Sequence, residues 1–205
     1  MSDETIRTIL ASYAADADDK LVARYHALNP EQIYAAVADV LPVAGARVAD
    51  IGAGTGRDAA WLAERGCTVI AVEPVTALRE AGRALHTSPG IEWLDDRLPE
   101  LSRLRAHASF DSLILCAVWH HLDEEERATA SEALAAMLEV DGRLILSLRH
   151  APVAERDSFP TRAETTIRMM EANGLRLIRR REAPSVSTES RAIGVRWTWL
   201  AFDKV

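Results

Sequence analysis

The residues best equipped for chemistry stand together in Val48-Ala49-Asp50-Ile51-Gly52-Ala53-Gly54-Thr55-Gly56. An apolar run ends in an acid, three glycines follow on alternate positions, and a helix-forming segment runs on from Arg57 to Arg65. Glycine admits positive φ and leaves no side chain between the backbone and a ligand. The first turn of the following helix offers unpaired N–H groups to polar atoms. A dinucleotide site wants Gly-x-Gly-x-x-Gly, which brings the backbone against a pyrophosphate. The spacing here is Gly-x-Gly-x-Gly, and Asp50 would repel a pyrophosphate while suiting a ligand with an ammonium group. Glu73 closes the next apolar run, where a strand-tip carboxylate can accept both hydroxyls of a ribose. Together these residues predict a nucleoside with a cationic end.

Other reactive side chains fall at the ends of later apolar runs. The fourth run ends Cys116-Ala117-Val118-Trp119-His120-His121. An imidazole there is a candidate general base, His121 above all, with His120 a candidate substrate contact. The competing reading is a packed or capped step into the next helix. No metal is expected, because adjacent histidines leave a strand end in different directions and no third ligand is evident. Arg149 and His150 follow the fifth run, at the edge where ligands of open sheets bind, and are candidates to grip an anionic substrate. Pairing of Arg149 with a surface acid is the alternative.

These positions need a scaffold, and the pattern supplies one. Residues 2–41 read as helix: one segment carrying Thr5, Ile6, Ile9, Leu10 and Tyr13, a second over roughly Lys20 to Leu28, and a third from Gln32 to Leu41 behind the cap Asn29-Pro30-Glu31. They either pack on a sheet edge or form a lid over a site at its carboxyl end. From residue 46 strands and helices alternate. Strands are expected over Arg47–Ile51, Thr68–Glu73, Ile91–Leu94, Asp111–Val118 and Arg143–Leu148, the last entered by a turn at Asp141-Gly142. Helices fall over Asp58–Arg65, Val75–Leu85 and Asp123 to about Glu139. Such alternation predicts a parallel sheet covered on both faces. After a helix near Arg162–Ala172, the strands Leu175–Arg181 and Val195–Phe202 flank a polar loop with no helix between them, so they must pair antiparallel.

Bulk properties narrow the function. A chain of 205 residues with 48% hydrophobic and 27% charged content is of globular type and fits one domain. A net charge of −7 removes the usual footprint of a nucleic-acid binder, so nucleic-acid partners are not expected. Arg176, Arg179, Arg180 and Arg181 read as a solvated strand face. Cys67 and Cys116 lie in apolar runs without metal-ligand spacing, which fits a reduced, intracellular setting. The opening Met-Ser-Asp-Glu lacks a signal-peptide pattern and no run reaches membrane-spanning length, so no membrane partner and a cytoplasmic location are expected.

Taken together, Asp50-Ile51-Gly52-Ala53-Gly54-Thr55-Gly56, Glu73-Pro74, Asp95-Asp96 and the strand ending Cys116–Leu122 resemble the successive motifs of class I S-adenosylmethionine-dependent methyltransferases. The resemblance covers about Gly45 to Arg149. It implies an α/β fold: a Rossmann-like, seven-stranded, mostly parallel sheet with an antiparallel C-terminal hairpin and an N-terminal helical cap. The whole of 1–205 would be one methyltransferase domain, with 1–44 as cap and 45–205 as α/β core. The cofactor implied is S-adenosylmethionine, with S-adenosylhomocysteine as product. Asp50 would then bind the methionine amino end directly or through water, and Gly52, Ala53 and Gly54 would pass beneath methionine and ribose. Glu73 would hold the ribose hydroxyls and Pro74 would flank the adenine. Asp95 would meet the adenine amino group, with Asp96 competing for that place, and Cys116 would sit near the methionine moiety. Arg24 and Tyr25 are candidates for the methionine carboxylate or for a lid.

The family's reaction is in-line displacement at an activated methyl, which needs positioning more than a fixed catalytic signature. The fourth-strand tip, Ala117-Val118-Trp119-His120-His121, lacks the Asn/Asp-Pro-Pro-Tyr/Phe tetrapeptide with which similar enzymes hold a nucleobase, so the expected acceptor is a small molecule. Two alternatives remain at this point: a nicotinamide-dependent oxidoreductase, and a non-catalytic methyltransferase-like module that binds a partner. The acceptor atom and the oligomeric state are not written in the chain.

Overall fold

In the computed structural model, which describes residues 3–152 and 158–205, seven strands form one sheet in the order β3-β2-β1-β4-β5-β7-β6. The strands are β1 (Arg47–Ile51), β2 (Thr68–Val72), β3 (Ile91–Leu94), β4 (Phe110–Leu115), β5 (Leu138–His150), β6 (Leu175–Pro184) and β7 (Arg196–Lys204). β1 pairs in parallel with β2, Asp50 opposite Ala71, and with β4, Asp50 opposite Ile114. Continuous apolar runs such as Val69-Ile70-Ala71-Val72 form these strands because both faces are covered and neither can be polar. β7 inserts between β5 and β6 and runs antiparallel to both, as the last two apolar runs require.

Among the described residues eight α-helices surround the sheet: α1 (Asp3–Asp16), α2 (Asp19–His26), α3 (Pro30–Ile33), α4 (Arg57–Glu64), α5 (Thr76–Leu85), α6 (Glu124–Met137), α7 (Ala163–Ala172) and α8 (Thr188–Ala192). One core, holding Ile51, Val72, Leu113, Leu146 and Phe202, packs beneath α6 and α7. The other, holding Val48, Val69, Ile114, Ile145 and Trp199, packs beneath α4 and the segment after α3. α6 begins where its sequence says it should. Asp123 accepts the Glu126 N–H at 2.9 Å, and Glu126 returns a bond from the Asp123 N–H at 3.0 Å. Among the described residues no helix is long and apolar enough to cross a membrane.

The structure departs from the sequence reading in four places. Asn29 caps as expected, accepting the Glu31 N–H at 2.9 Å, but the helix stops at Ile33 and continues as a 3-10 segment, Ala35–Val40. The tighter winding buries Tyr34, whose ring stacks on Trp61 at 5.3 Å. Asp141-Gly142 is not a turn ahead of β5 but a bulge inside it. Phe110 pairs with Leu138 and Ser112 with Arg143, leaving 139–142 out of register. Asp141 takes φ 64 and a Cβ on Gly142 would lie 2.8 Å from the Glu139 carbonyl oxygen. β4 ends at Leu115, three residues early, and the chain turns through Ala117 at φ 60 into a 3-10 turn, Trp119–His121. The polar loop before β7 contains α8, capped by Ser187, yet the antiparallel pairing stands. On β6 the arginines face outward, Arg180 pairing with Glu164 at 2.9 Å and Arg179 with Asp39. Met1 and Ser2, the start of the supposed cap, lie outside the described residues.

Candidate active site

The glycine turn is a backbone device, and each glycine has its own reason. Gly52, Gly54 and Gly56 adopt φ 77, 57 and 79, the left-handed region that favours glycine. A Cβ on Gly52 would lie 2.4 Å from a methyl of Val118, and one on Gly54 would touch the Tyr25 ring at 3.7 Å. A Cβ on Gly56 would lie 2.6 Å from the ring of Trp93 of β3, so the third glycine serves packing rather than a ligand. The Gly52 and Ala53 N–H groups donate to the Val72 carbonyl at 2.8 and 3.0 Å, which fixes the turn against β2.

Glu73 locks this arrangement from the tip of β2. Its Oε2 accepts the Gly54 N–H and its Oε1 the Val75 N–H, both at 2.8 Å. Burial raises its carboxyl pKa, against the pull of those two donors and of Arg79. A carboxylate has about four acceptor sites, so one on each oxygen stays open for a ligand's hydroxyls.

Behind the turn lies an acid cluster. Asp58, at the start of α4, is gripped by the Arg57 fork at 2.7 and 2.8 Å and receives the Tyr34 hydroxyl at 2.9 Å. Asp50 is 2% exposed, and its Oδ2 has no hydrogen-bond partner. Burial, then the neighbouring Asp58, pushes the Asp50 carboxyl well above its ordinary range. Burial and the same Asp58 push the Cys116 thiol up to about 12, so this sulfur stays protonated and is no nucleophile. Arg57 also reaches the Tyr25 carbonyl at 3.4 Å, which ties α2 to the turn.

The adjacent acids after β3 part company. Asp96 lines the cavity, its Oδ1 taking the Arg97 N–H and its Oδ2 those of Arg103 and Leu104. Asp95 turns to the surface, where it pairs with Arg79 at 3.2 Å.

Opposite the cradle stand the histidines. His121 Nε2 meets the Tyr13 hydroxyl of α1 at 2.9 Å, and the two rings cross edge-on at 5.4 Å. His120 lies against His121 at 4.1 Å between ring centroids, and its backbone carbonyl accepts the Phe159 N–H at 2.7 Å. Burial, aided by nearby cations, lowers His121 to about 4 and drives His120 well below its usual value, so both rings are neutral near pH 7. His121 is therefore a weak base.

A single cavity of about 700 Å³ joins these two walls. It brings together Gly52, Ala53, Gly54, Glu73 and Pro74 with Asp96 and Cys116, and faces them with His120, His121 and Arg149. Arg24 and Tyr25 line it from α2. Three candidates fall outside its lining. Asp50 sits behind the wall, Asp95 is on the surface, and His150 bonds Thr198 Oγ1 at 2.8 Å along the β5–β7 pair. Sequence reasoning missed Arg57 and Asp58, although they directly follow the third glycine. It also missed Tyr13, Trp197 and the Ser187–Ile193 loop, which reach the cavity only through tertiary packing.

Comparison with known proteins agrees with this geometry. A family model described as a methyltransferase domain matches residues 49–146. An uncharacterized methyltransferase of Mycobacterium tuberculosis is 33% identical over 131 residues, 60% of this chain and 48% of that protein. A ubiquinone biosynthesis O-methyltransferase of Xylella fastidiosa is 29% identical over 147 residues, 71% of this chain and 58% of that protein. The chain thus spans about half the length of the curated relatives it matches. The fold matches the Burkholderia thailandensis 1,6-didemethyltoxoflavin-N1-methyltransferase, solved with its didemethyltoxoflavin and S-adenosylhomocysteine, at TM-score 0.74 and 21% identity over 98% of this chain and 88% of that one. A methyltransferase-domain family model thus matches the stretch that holds the cradle, and the fold around it is shared with a solved methyltransferase.

Proposed function

We propose that the protein binds S-adenosylmethionine in the glycine cradle and transfers its methyl group to a small-molecule acceptor. The observation that carries this reading is the shared cavity: the cradle, Glu73 and Asp96 form one wall, and His120, His121 and Arg149 face them across it. The residues present fit the cofactor. Glu73 keeps one open acceptor site per oxygen for two ribose hydroxyls, and Asp96 keeps one on Oδ1 for the adenine amino group. Asp58 keeps one on Oδ1, and Asp50 Oδ2 is an acceptor without a donor, both beside the place for the methionine amino end. Arg57 and Arg24 stand by for the carboxylate.

When bound, the cofactor supplies a sulfonium-activated methyl. The chain's own residues then hold and orient. Tyr25 covers Gly54, Ile9 and Leu10 of α1 exclude water from the far side, and Arg149 offers a cation to an anionic part of the acceptor. Neutral His121 serves as acceptor or donor to the acceptor molecule rather than as a strong base. A nicotinamide reaction is disfavoured by Asp50 and by the glycine spacing.

We further read residues 1–205 as one methyltransferase domain, 1–44 being its cap, located in the cytoplasm and without nucleic-acid partners; the net charge of −7 supports the last point. Titration calorimetry with S-adenosylmethionine and S-adenosylhomocysteine tests the central reading, and absence of binding at millimolar ligand would sink it. Asp50→Ala and Glu73→Ala are each expected to weaken binding by roughly 1–3 kcal/mol. Normal binding by both would move the site elsewhere.

A further inference from the structure

The buried acids behind the cradle outnumber their counterions. Asp50 is influenced by Asp58 and Arg57 of α4, by Glu73 beyond β2, by Cys116 after β4, and by Tyr34 after α3. Tyr34 and Cys116 are neutral, held so by burial. That leaves three carboxyl groups and two guanidiniums, Arg57 at Asp58 and Arg79 at Glu73. The Arg57 fork is committed to Asp58 through two bonds at 2.7 and 2.8 Å, and the Tyr34 hydroxyl adds a third donor there. Asp58 therefore has three side-chain donors of its own. Glu73 has a backbone N–H on each oxygen, and Arg79 donates to its carbonyl at 2.6 Å. Asp50 has only a minor counter-pull from the Ala59 N–H, and nothing bonds its Oδ2.

A buried carboxyl in that position, beside Asp58 and near Glu73, is pushed toward its neutral form. The neutral form is itself incomplete, because an O–H at Oδ2 finds no acceptor. Either protonation state leaves Asp50 wanting a partner, and a cationic donor satisfies only the ionised one. We propose that docking of the cofactor's ammonium-bearing end expels one proton from Asp50, so that cofactor binding by this chain is linked to proton release. The proposal rests on the cofactor reading above and adds the protonation state of the empty site to it.

The sign follows from linkage. The free protein holds the proton over a pH range in which the complex does not, so rising pH favours the complex across that range. Affinity for the cofactor is expected to climb by up to ~10-fold per pH unit and then level off once Asp50 ionises in the free protein.

The test is calorimetric titration of S-adenosylhomocysteine into the wild-type chain at intervals between pH 5 and pH 8, each pH in two buffers that titrate there, acetate and MES at the acid end and phosphate and Tris at the alkaline end. The two buffers differ in ionisation enthalpy, so their difference in heat counts protons. Release is expected to rise to about one proton per ligand within that range. Asp50→Asn, which imitates the neutral acid in shape, is expected to bind without release, and circular dichroism of the variant checks that it is folded. Equal heats in both buffers at every pH, with S-adenosylhomocysteine bound, would overturn the proposal and leave the cofactor reading standing. Release that persists in folded Asp50→Asn would also overturn it, by assigning the proton to another group. Failure of S-adenosylhomocysteine to bind at all would bring down the cofactor reading and the proposal with it.

Discussion

The two walls of the cavity are built by different physics. The cradle is backbone and acid: positive-φ glycines, two N–H groups fixed to the Val72 carbonyl, and a carboxylate that bridges Gly54 to Val75. Its parts come from β1, β2 and the turns just after them. The opposite wall is side chain throughout, assembled from α1, the turn at Trp119–His121, the end of β5 and the Ser187–Ile193 loop. The charge differs as well. The cradle concentrates carboxyls around the guanidinium of Arg57, whereas burial strips the facing histidines of charge. On the proposed reading, a ligand with one cationic end would place its charge at the cradle. The difference teaches that one wall recognises a fixed guest through local geometry, while the other is shaped by whatever the tertiary packing brings.

That contrast can be broken experimentally. Val118, just ahead of the Trp119–His121 turn, fills the space above Gly52. Gly52→Ala places a Cβ 2.4 Å from its methyl at φ 77, and a loss of roughly 2–5 kcal/mol in denaturant unfolding is expected. Adding Val118→Ala should recover the clash and leave the strain of the positive φ. Full recovery would show that the backbone of the turn is not strained.

The acid limb of stability reports on the other wall. His121 falls from 6.5 to about 4 on folding, so the unfolded chain binds more protons between those values. Stability is lost as pH falls through that window, by on the order of 3 kcal/mol for this group. His120 shifts in the same direction and adds to the loss. Melting curves from pH 7 to pH 4 should show a limb that His121→Asn flattens. An unchanged limb in that variant would mean that His121 is not held neutral by the fold. Smaller again is Tyr13→Phe, which removes the 2.9 Å bond to His121 and should cost about 1 kcal/mol of stability while leaving S-adenosylhomocysteine affinity alone. A large drop in that affinity would mean that α1 belongs to the cradle after all.

The same contrast governs what could be read from the chain. The cradle was legible because its chemistry is local. Asp50, the glycines and Glu73 each sit at a strand tip, and the alternation of apolar runs fixes where the tips are. The seven-stranded sheet and its antiparallel finish were legible for the same reason. What was lost depends on direction or on distant partners. Asp95 and Asp96 have the same residue type and adjacent positions, and only the loop they serve decides which one faces the cavity. His150 stands on the expected edge, but its pairing partner Thr198 comes from β7. Asp141-Gly142 carries a turn signal that the sheet absorbs as a bulge, because β4 holds its partner on both sides of it. Tyr13 and the Ser187–Ile193 loop have no sequence mark that could connect them to His121 or Trp197.

The most direct measurement of the account is the affinity of S-adenosylhomocysteine for Glu73→Ala and for His121→Asn, each titrated against the wild type. Glu73→Ala loses the open acceptor sites proposed for the ribose and should bind about 10- to 100-fold more weakly. His121→Asn alters only the facing wall and should stay within about 2-fold of the wild type. Equal affinity in wild type and Glu73→Ala, or a greater loss in His121→Asn, would contradict the assignment of the cradle.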